Sequence, residues 1–274
     1  MANARGCGRL GLLAVGLGIG AALATIPRTA SADSSTDWLS SIDNLLGGLS
    51  VPAAMPSALD VQISIDGMEL FSTAGNTATA TSGTGDIAIA IGNGSIADAT
   101  GGTGDFALAD GTNSDAGAGG TGPFGGDGIG SNDIAIDIGN NNGSLLGANA
   151  IGGDNDTAIL FGNLTGNFAG VEAGNPGNSD FALAIGNEDG FDDGPYAGEG
   201  HNNVAIDIGN ETGDNLGANA SPSAGSFDFA GVFGNNDTAT AGSPGDFDLA
   251  AVFGDGLNAT ASGGNFLVDI VPSL

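Results

Sequence analysis

Past Arg28 the chain contains no lysine or arginine, and past Cys7 no cysteine. Its three basic residues, Arg5, Arg9 and Arg28, all fall in the first 32 positions, whereas all 32 Asp and Glu residues come after them. Residues 33–274 therefore carry a formal charge of −32 with no cation to offset it. Phosphate recognition rests on cationic side chains, so a nucleic-acid partner is excluded. Without thiols there are no disulfides, even for an exported protein that could have used them. Catalytic side chains are scarce too: one His (His201), one Tyr (Tyr196) and one Trp. A triad histidine wants an activated serine, yet no G-x-S-x-G occurs, and His201 beside Glu199 reads as a solvated loop residue. Paired Asp residues can run glycoside chemistry, but a carbohydrate enzyme with neither Lys nor Arg would be unusual. No catalytic residue is assigned, and the expectation is a non-enzymatic protein.

Glycine, alanine, asparagine and aspartate fill the space left by these absences, and they are ordered. The stretch 133–140 (DIAIDIGN) returns as 86–93 (DIAIAIGN), 105–112 (DFALADGT), 156–163 (DTAILFGN), 180–187 (DFALAIGN), 203–210 (NVAIDIGN), 228–235 (DFAGVFGN) and 248–255 (DLAAVFGD). A degenerate ninth copy starts at Asn265 (NFLVDIV). Successive starts lie 19, 28, 23, 24, 23, 25, 20 and 17 residues apart. A fixed motif with an irregular spacer marks a stacked repeat whose loops vary while its strands do not. Within one copy the alternation has period two, so Ile134, Ile136 and Ile138 share one face and Asp133, Ala135 and Asp137 the other, as in a strand. The second residue of the small face is Ala in eight of nine copies. That contrast predicts a filled core behind the large side chains and a close neighbour or flat narrow surface in front of the small ones. Each copy closes on Gly, usually followed by Asn, a pair that reaches positive φ cheaply. Stacked turns of this kind can align their Asn amides as a hydrogen-bonded ladder.

A second, weaker alternation precedes the main strands at 76–81, 96–100, 147–150, 238–241 and 258–261. One coil of roughly 20–24 residues thus holds two short strands and two turns, with a large-residue sheet packed on a small-residue sheet. The predicted fold is an all-β parallel solenoid of about nine irregular coils over 61–274, begun by a hairpin around Asp66-Gly67. Two long spacers, 113–132 (Gly-dominated) and 188–202 (acidic), are expected to leave the stack as loops.

The first 32 residues read as a secretory signal: basic leader, apolar run 10–26, and Ala30-Ser31-Ala32 as the cleavage site. The protein is expected to be secreted or held in the cell envelope, with no transmembrane helix left in the mature chain. Residues 33–60 are an amphipathic helix and a Pro-containing linker. Trp38, Leu39, Ile42, Leu45, Leu46 and Leu49 have helical spacing, and 36–49 is expected to cap the open end of the solenoid.

Calcium is the one cofactor with candidate ligands, since it takes carboxylate and carbonyl oxygens alone. The weak candidates are Asp86, Asp105, Asp133, Asp156 and Asp180 of the repeat and Glu188, Asp189, Asp192, Asp193 and Glu199 of the acidic spacer. The spacer departs from the EF-hand, with Phe191 at its third position. The runs 82–86 and 101–105 lack one residue of the calcium nonapeptide. The first residue of the repeat forms a column, Asp at seven copies and Asn203 and Asn265 at two. Either turn N–H groups cap these oxygens, as they would cap Asn equally well, or divalent cations sit between rungs. The two Asn favour capping. The segment 117–122 fits G-x-G-x-x-G, but without a following helix the match carries no cofactor. Eight N-x-S/T triplets follow from composition and are read as background.

Residues 76–274, with short alternating strands ending in Gly and Asn, resemble the head repeats of trimeric autotransporter adhesins, though with a longer and irregular period. In composition and leader the chain is similar to exported Gly/Ala/Asn/Asp-rich repeat proteins of mycobacteria. The first resemblance implies surface attachment, and neither supplies a catalytic residue. The function read from the sequence is an exported structural or adhesin-like interaction protein facing a cell-envelope or host component, with homo-oligomerisation open. The alternatives are a calcium-binding β-roll module and, remotely, an ice-binding protein suggested by Thr77, Thr79 and Thr81. That threonine row does not recur on neighbouring coils.

Overall fold

The structure is a computed structural model that describes residues 60–119, 130–140, 147–150, 152–164, 170–174, 177–188, 194–198, 200–211, 217–220, 225–242 and 245–273. The expected signal segment and the helix at 36–49 lie outside these residues.

Every regular element among the described residues is a strand, and the strands fall into two long sheets and one two-stranded pair. The broad sheet has eleven strands. Nine of them are the repeat copies, parallel and in register from Ile87–Ile91 to Val268–Pro272. The other two form the expected hairpin, Val61–Ile65 and Met68–Ser72, which turns with positive φ at Asp66 and Gly67 and pairs antiparallel with Ile87–Ile91. The narrow sheet runs parallel through nine short strands, from Thr79–Ser82 to Asn258–Ala261. The chain alternates between the sheets, which makes the parallel β-solenoid.

Period two holds, but the faces are the reverse of the expectation. The side chains between the sheets are the small ones. From the broad sheet come Ala88, Ala107, Ala135, Ala158, Ala182, Ala205, Ala230 and Ala250, all without exposed surface. They meet Ala97, Ala116, Ala148 and Ala218 of the narrow sheet in one continuous cluster. Ile134, Ile136 and Ile138 point outward. The two sheets therefore share an alanine interior, rather than a large-residue sheet lying on a small-residue one. The reason is coil size: two strands of four to eight residues joined by tight corners enclose a narrow slot filled mostly by methyl groups, with a larger side chain only at single places such as Leu160, Val171, Val232 and Val252.

Backbone proximity at the corners explains the glycines. A Cβ added to Gly162 would stand 1.4 Å from the carbonyl oxygen of Gly186, and on Gly209 it would stand 1.5 Å from that of Gly234. The glycine closing each copy is thus fixed by contact with the next coil. In place of a ladder of Asn amides, the side chain after the glycine takes a backbone N–H of the preceding coil: Asn140 Oδ1 accepts the Thr112 N–H at 2.9 Å, and Asp255 Oδ1 accepts the Asn235 N–H at 3.0 Å.

The long spacers do not leave the stack entirely. Asp115–Ala118 and Tyr196–Ala197 are strands of the narrow sheet, and Gly200–His201 pairs with Gly177–Asn178. A second correction concerns the last coil. Leu249 pairs with Val268, so the ninth copy starts at Leu267, and Asn265 lies two places earlier beside Asp246.

Candidate functional site: an apolar face and an aspartate corner

The inversion of the strands leaves the large side chains on the outer face of the broad sheet. Parallel in-register pairing turns each repeat position into a column. The middle column reads Ile89, Leu108, Ile136, Ile159, Leu183 and Ile206, then Gly231, Ala251 and Ile270. Its flanking columns are Ile, Phe, Val and Leu, broken by Thr157 in one and Asp110 in the other. Neighbours along a column shade one another, yet Ile134, Ile185, Ile208 and Phe253 each keep 38–44% of their surface open to solvent. Phe233 and Phe253 stack at 4.9 Å between ring centroids. The exposed part of this apolar face lies on the later coils, since Ile89 and Leu108 at its start are buried.

The corner leading into the broad sheet holds the aspartate column. Asp86, Asp105, Asp133, Asp156, Asp180, Asn203, Asp228 and Asp248 are all buried, none more than 2% exposed. Each lends Oδ1 to the backbone N–H of its successor on the next coil. The distances are 2.9 Å to Asp105, 3.0 Å to Asp133, 2.9 Å to Asp156 and 2.9 Å to Asp180, then 2.7 Å to Asn203, 3.1 Å to Asp228 and 2.9 Å to Asp248. The series ends with Asp248 accepting from Leu267 at 2.7 Å. Backbone capping thus holds as expected, except that the donors belong to the neighbouring coil. The residue before each column member has positive φ: Gly85, Gly104, Asn132, Asn155, Ser179, Asn202, Phe227 and Phe247. Phenylalanine is strained there. Phe227, Phe247 and Phe266 stack into a ladder at 4.9 and 5.2 Å, an arrangement that sequence alternation gives no sign of.

Burial raises the column's pKa values. Asp133 is pushed to about 8, Asp156 and Asp180 to about 7, and Asp105 and Asp228 to about 6, while N–H donors pull the other way. On the narrow sheet, burial and then the charges of Asp137 and Asp98 push Asp115 to about 7.

Of the calcium candidates, the five repeat aspartates come together in this column, each with Oδ1 already taken by an amide. Glu188 ends the strand Phe181–Glu188 on the same sheet. Asp189, Asp192, Asp193 and Glu199 lie outside the described residues. No three acidic, His or Cys side chains converge as a metal site among the described residues. His201 is exposed, and its N–H donates to Ser226 Oγ at 3.2 Å. Gly117 and Ala118 of the glycine motif are buried on a narrow-sheet strand. Thr79 and Thr81 face Ile96 and Asp98 on the next coil, so the threonine row stops after one strand. No helix long and apolar enough to cross a membrane occurs among the described residues. Comparison with protein-family models, with curated proteins and with solved structures gives no match.

Proposed function

We propose that the protein is an exported, non-enzymatic structural or adhesin-like interaction protein whose working surface is the apolar outer face of the broad sheet. The observation that carries this reading is the set of three largely apolar columns across nine coils, interrupted only at Asp110, Thr157 and Gly231. The leader at 1–32 supports export, and the scarcity of nucleophile and base supports the absence of catalysis.

The occupant assigned to the face is a second copy of the chain. Nine rungs at about 4.8 Å and five residues at about 3.3 Å, with side-chain breadth, make an area of roughly 800 Å², the size one partner contributes to a standard stable interface. The columns are in register and carry a single charged residue, Asp110, so two such faces can meet as stacked sheets do. The acidic remainder then stays outward, towards a cell-envelope or host component. Light scattering on the full chain tests this. Wild type is expected to be oligomeric, and Ile136→Asp/Ile206→Asp to be monomeric with an unchanged circular dichroism spectrum. A wild-type monomer that binds a hydrophobic dye strongly would overturn the self-contact, and its absence from envelope and medium fractions would overturn the role.

A further inference from the structure

Seven of the eight column residues leave one oxygen unaccounted for. Oδ2 of Asp86, Asp105, Asp133, Asp156, Asp180, Asp228 and Asp248 is buried without a hydrogen-bond partner. A buried ionised oxygen in that state is costly. The eighth rung carries an internal control. Asn203 lends Oδ1 to the ladder like the others, and its Nδ2, standing where Asp has Oδ2, donates to the carbonyls of Gly198 at 3.2 Å and Gly225 at 3.5 Å. The second atom of a column residue therefore faces acceptors and calls for a donor.

The same acceptors are present on the aspartate rungs. Three residues before each column member stands a glycine, and the room of its missing Cβ is shared by Oδ2 and the next coil's carbonyl. A Cβ on Gly130 would lie 2.1 Å from Asp133 Oδ2 and 2.0 Å from the Gly153 oxygen. On Gly177 it would lie 1.9 Å from Asp180 Oδ2 and 2.4 Å from the Gly200 oxygen, and on Gly225 2.3 Å from Asp228 Oδ2 and 2.1 Å from the Gly245 oxygen. An ionised carboxylate would set lone pair against lone pair in this space, whereas a carboxylic acid donates its O–H to the carbonyl. A cation fits poorly, because at Asn203 an amide NH₂ points into the same place.

We infer that the middle of the column is a row of buried proton sites: in the folded protein Asp133, Asp156 and Asp180 are neutral acids. Each donates from Oδ2 to a glycine carbonyl of the next coil, and the stack loosens when they ionise. The raised pKa values agree. The groups bearing on the column are its own members, Asp154 against Asp133 and Asp156, Asp246 against Asp228, and Asp66 against Asp86, all acidic. The narrow-sheet ends packed on it supply glycines, Gly119 on Asp105, Gly174 on Asp156 and Gly242 on Asp228. No Lys or Arg occurs after residue 28, and His201 is exposed at its turn. An acid whose folded pKa exceeds its unfolded value near 3.8 gives stability that is complete below that value and is lost as pH rises from there through the folded pKa, so the loss is over by about 6 for Asp105 and continues to about 8 for Asp133. The inference is independent of what covers the apolar face.

Thermal melts of the full chain at constant ionic strength, pH 5 to 9, test it against Asp133→Asn/Asp156→Asn/Asp180→Asn. Exposed carboxylates finish titrating below about pH 6, so the fall above it belongs to buried groups. Asp115 also titrates there, and the variant separates the two. Wild type is expected to lose more than about 5 °C between pH 6 and 8, and the variant less than half of that, with the higher melting temperature at pH 8. The infrared carbonyl band of protonated carboxyl groups should persist in folded wild type at pH 6. If the triple variant does not fold, Asp180→Asn alone and the wild-type band decide. A melting temperature that is flat or rising from pH 6 to 8, or the absence of that band, would overturn the proposal.

Discussion

The two faces of one strand differ more than the two sheets do. On Ile134–Asn140 the inner side chains belong to a slot that accepts a methyl group or a hydrogen-bonded carboxyl, while the outer ones stand in open columns. Size is thus limiting only on the inside, whereas polarity matters on both. Adjacent residues on one strand give the sharpest contrast. Ala158, fully buried between the sheets, should tolerate Leu badly, losing about 3 kcal/mol or more through overpacking. Its outer neighbour Ile159 should accept Leu with a change below about 1 kcal/mol. Urea titrations of the two variants would read the difference, and equal midpoints would mean that the interior is not close-packed.

A smaller loss should follow where the chain itself fills the slot. Gly209→Ala puts a methyl against the Gly234 carbonyl, and moving backbone there should cost about 2–4 kcal/mol. The same change at Gly256, which has open space but φ of +68°, should cost only about 1 kcal/mol. The smallest effect is expected from divalent ions. With Oδ1 of the column occupied by amides, millimolar calcium should raise the melting temperature no further than sodium chloride of equal ionic strength, through screening of the acidic surface. A larger gain, lost in Asp156→Asn/Asp180→Asn, would instead make cation binding the column's role.

The repeat, its period and the parallel stack were legible in the sequence because each is carried by a side-chain pattern. Which face was buried was not, since alternation is symmetric between faces and hydrophobicity points to the larger side. The signal that decides it is invariance of size: Ala135 and its counterparts vary in no described copy before the ninth, while Ile136 gives way to Leu, Gly and Ala. The aspartate column was visible, but its last member was not Asn265. The register was fixed by a glycine three places ahead, as in Gly130–Asp133 and Gly245–Asp248, and Gly264 puts Leu267 in line. The raised pKa values could not be read at all, for they depend on burial by the neighbouring coils and on the carboxylates those coils bring close.

The ladder also has a direction. In every Oδ1 hydrogen bond of the column the acceptor belongs to the earlier coil and the donor N–H to the later one. Read from the N-terminus, each coil thus places its N–H on an acceptor already supplied by the coil before it. Leu267 takes the last acceptor from Asp248 and has no side-chain oxygen to pass on. The Oδ1 ladder of the column therefore ends at Leu267.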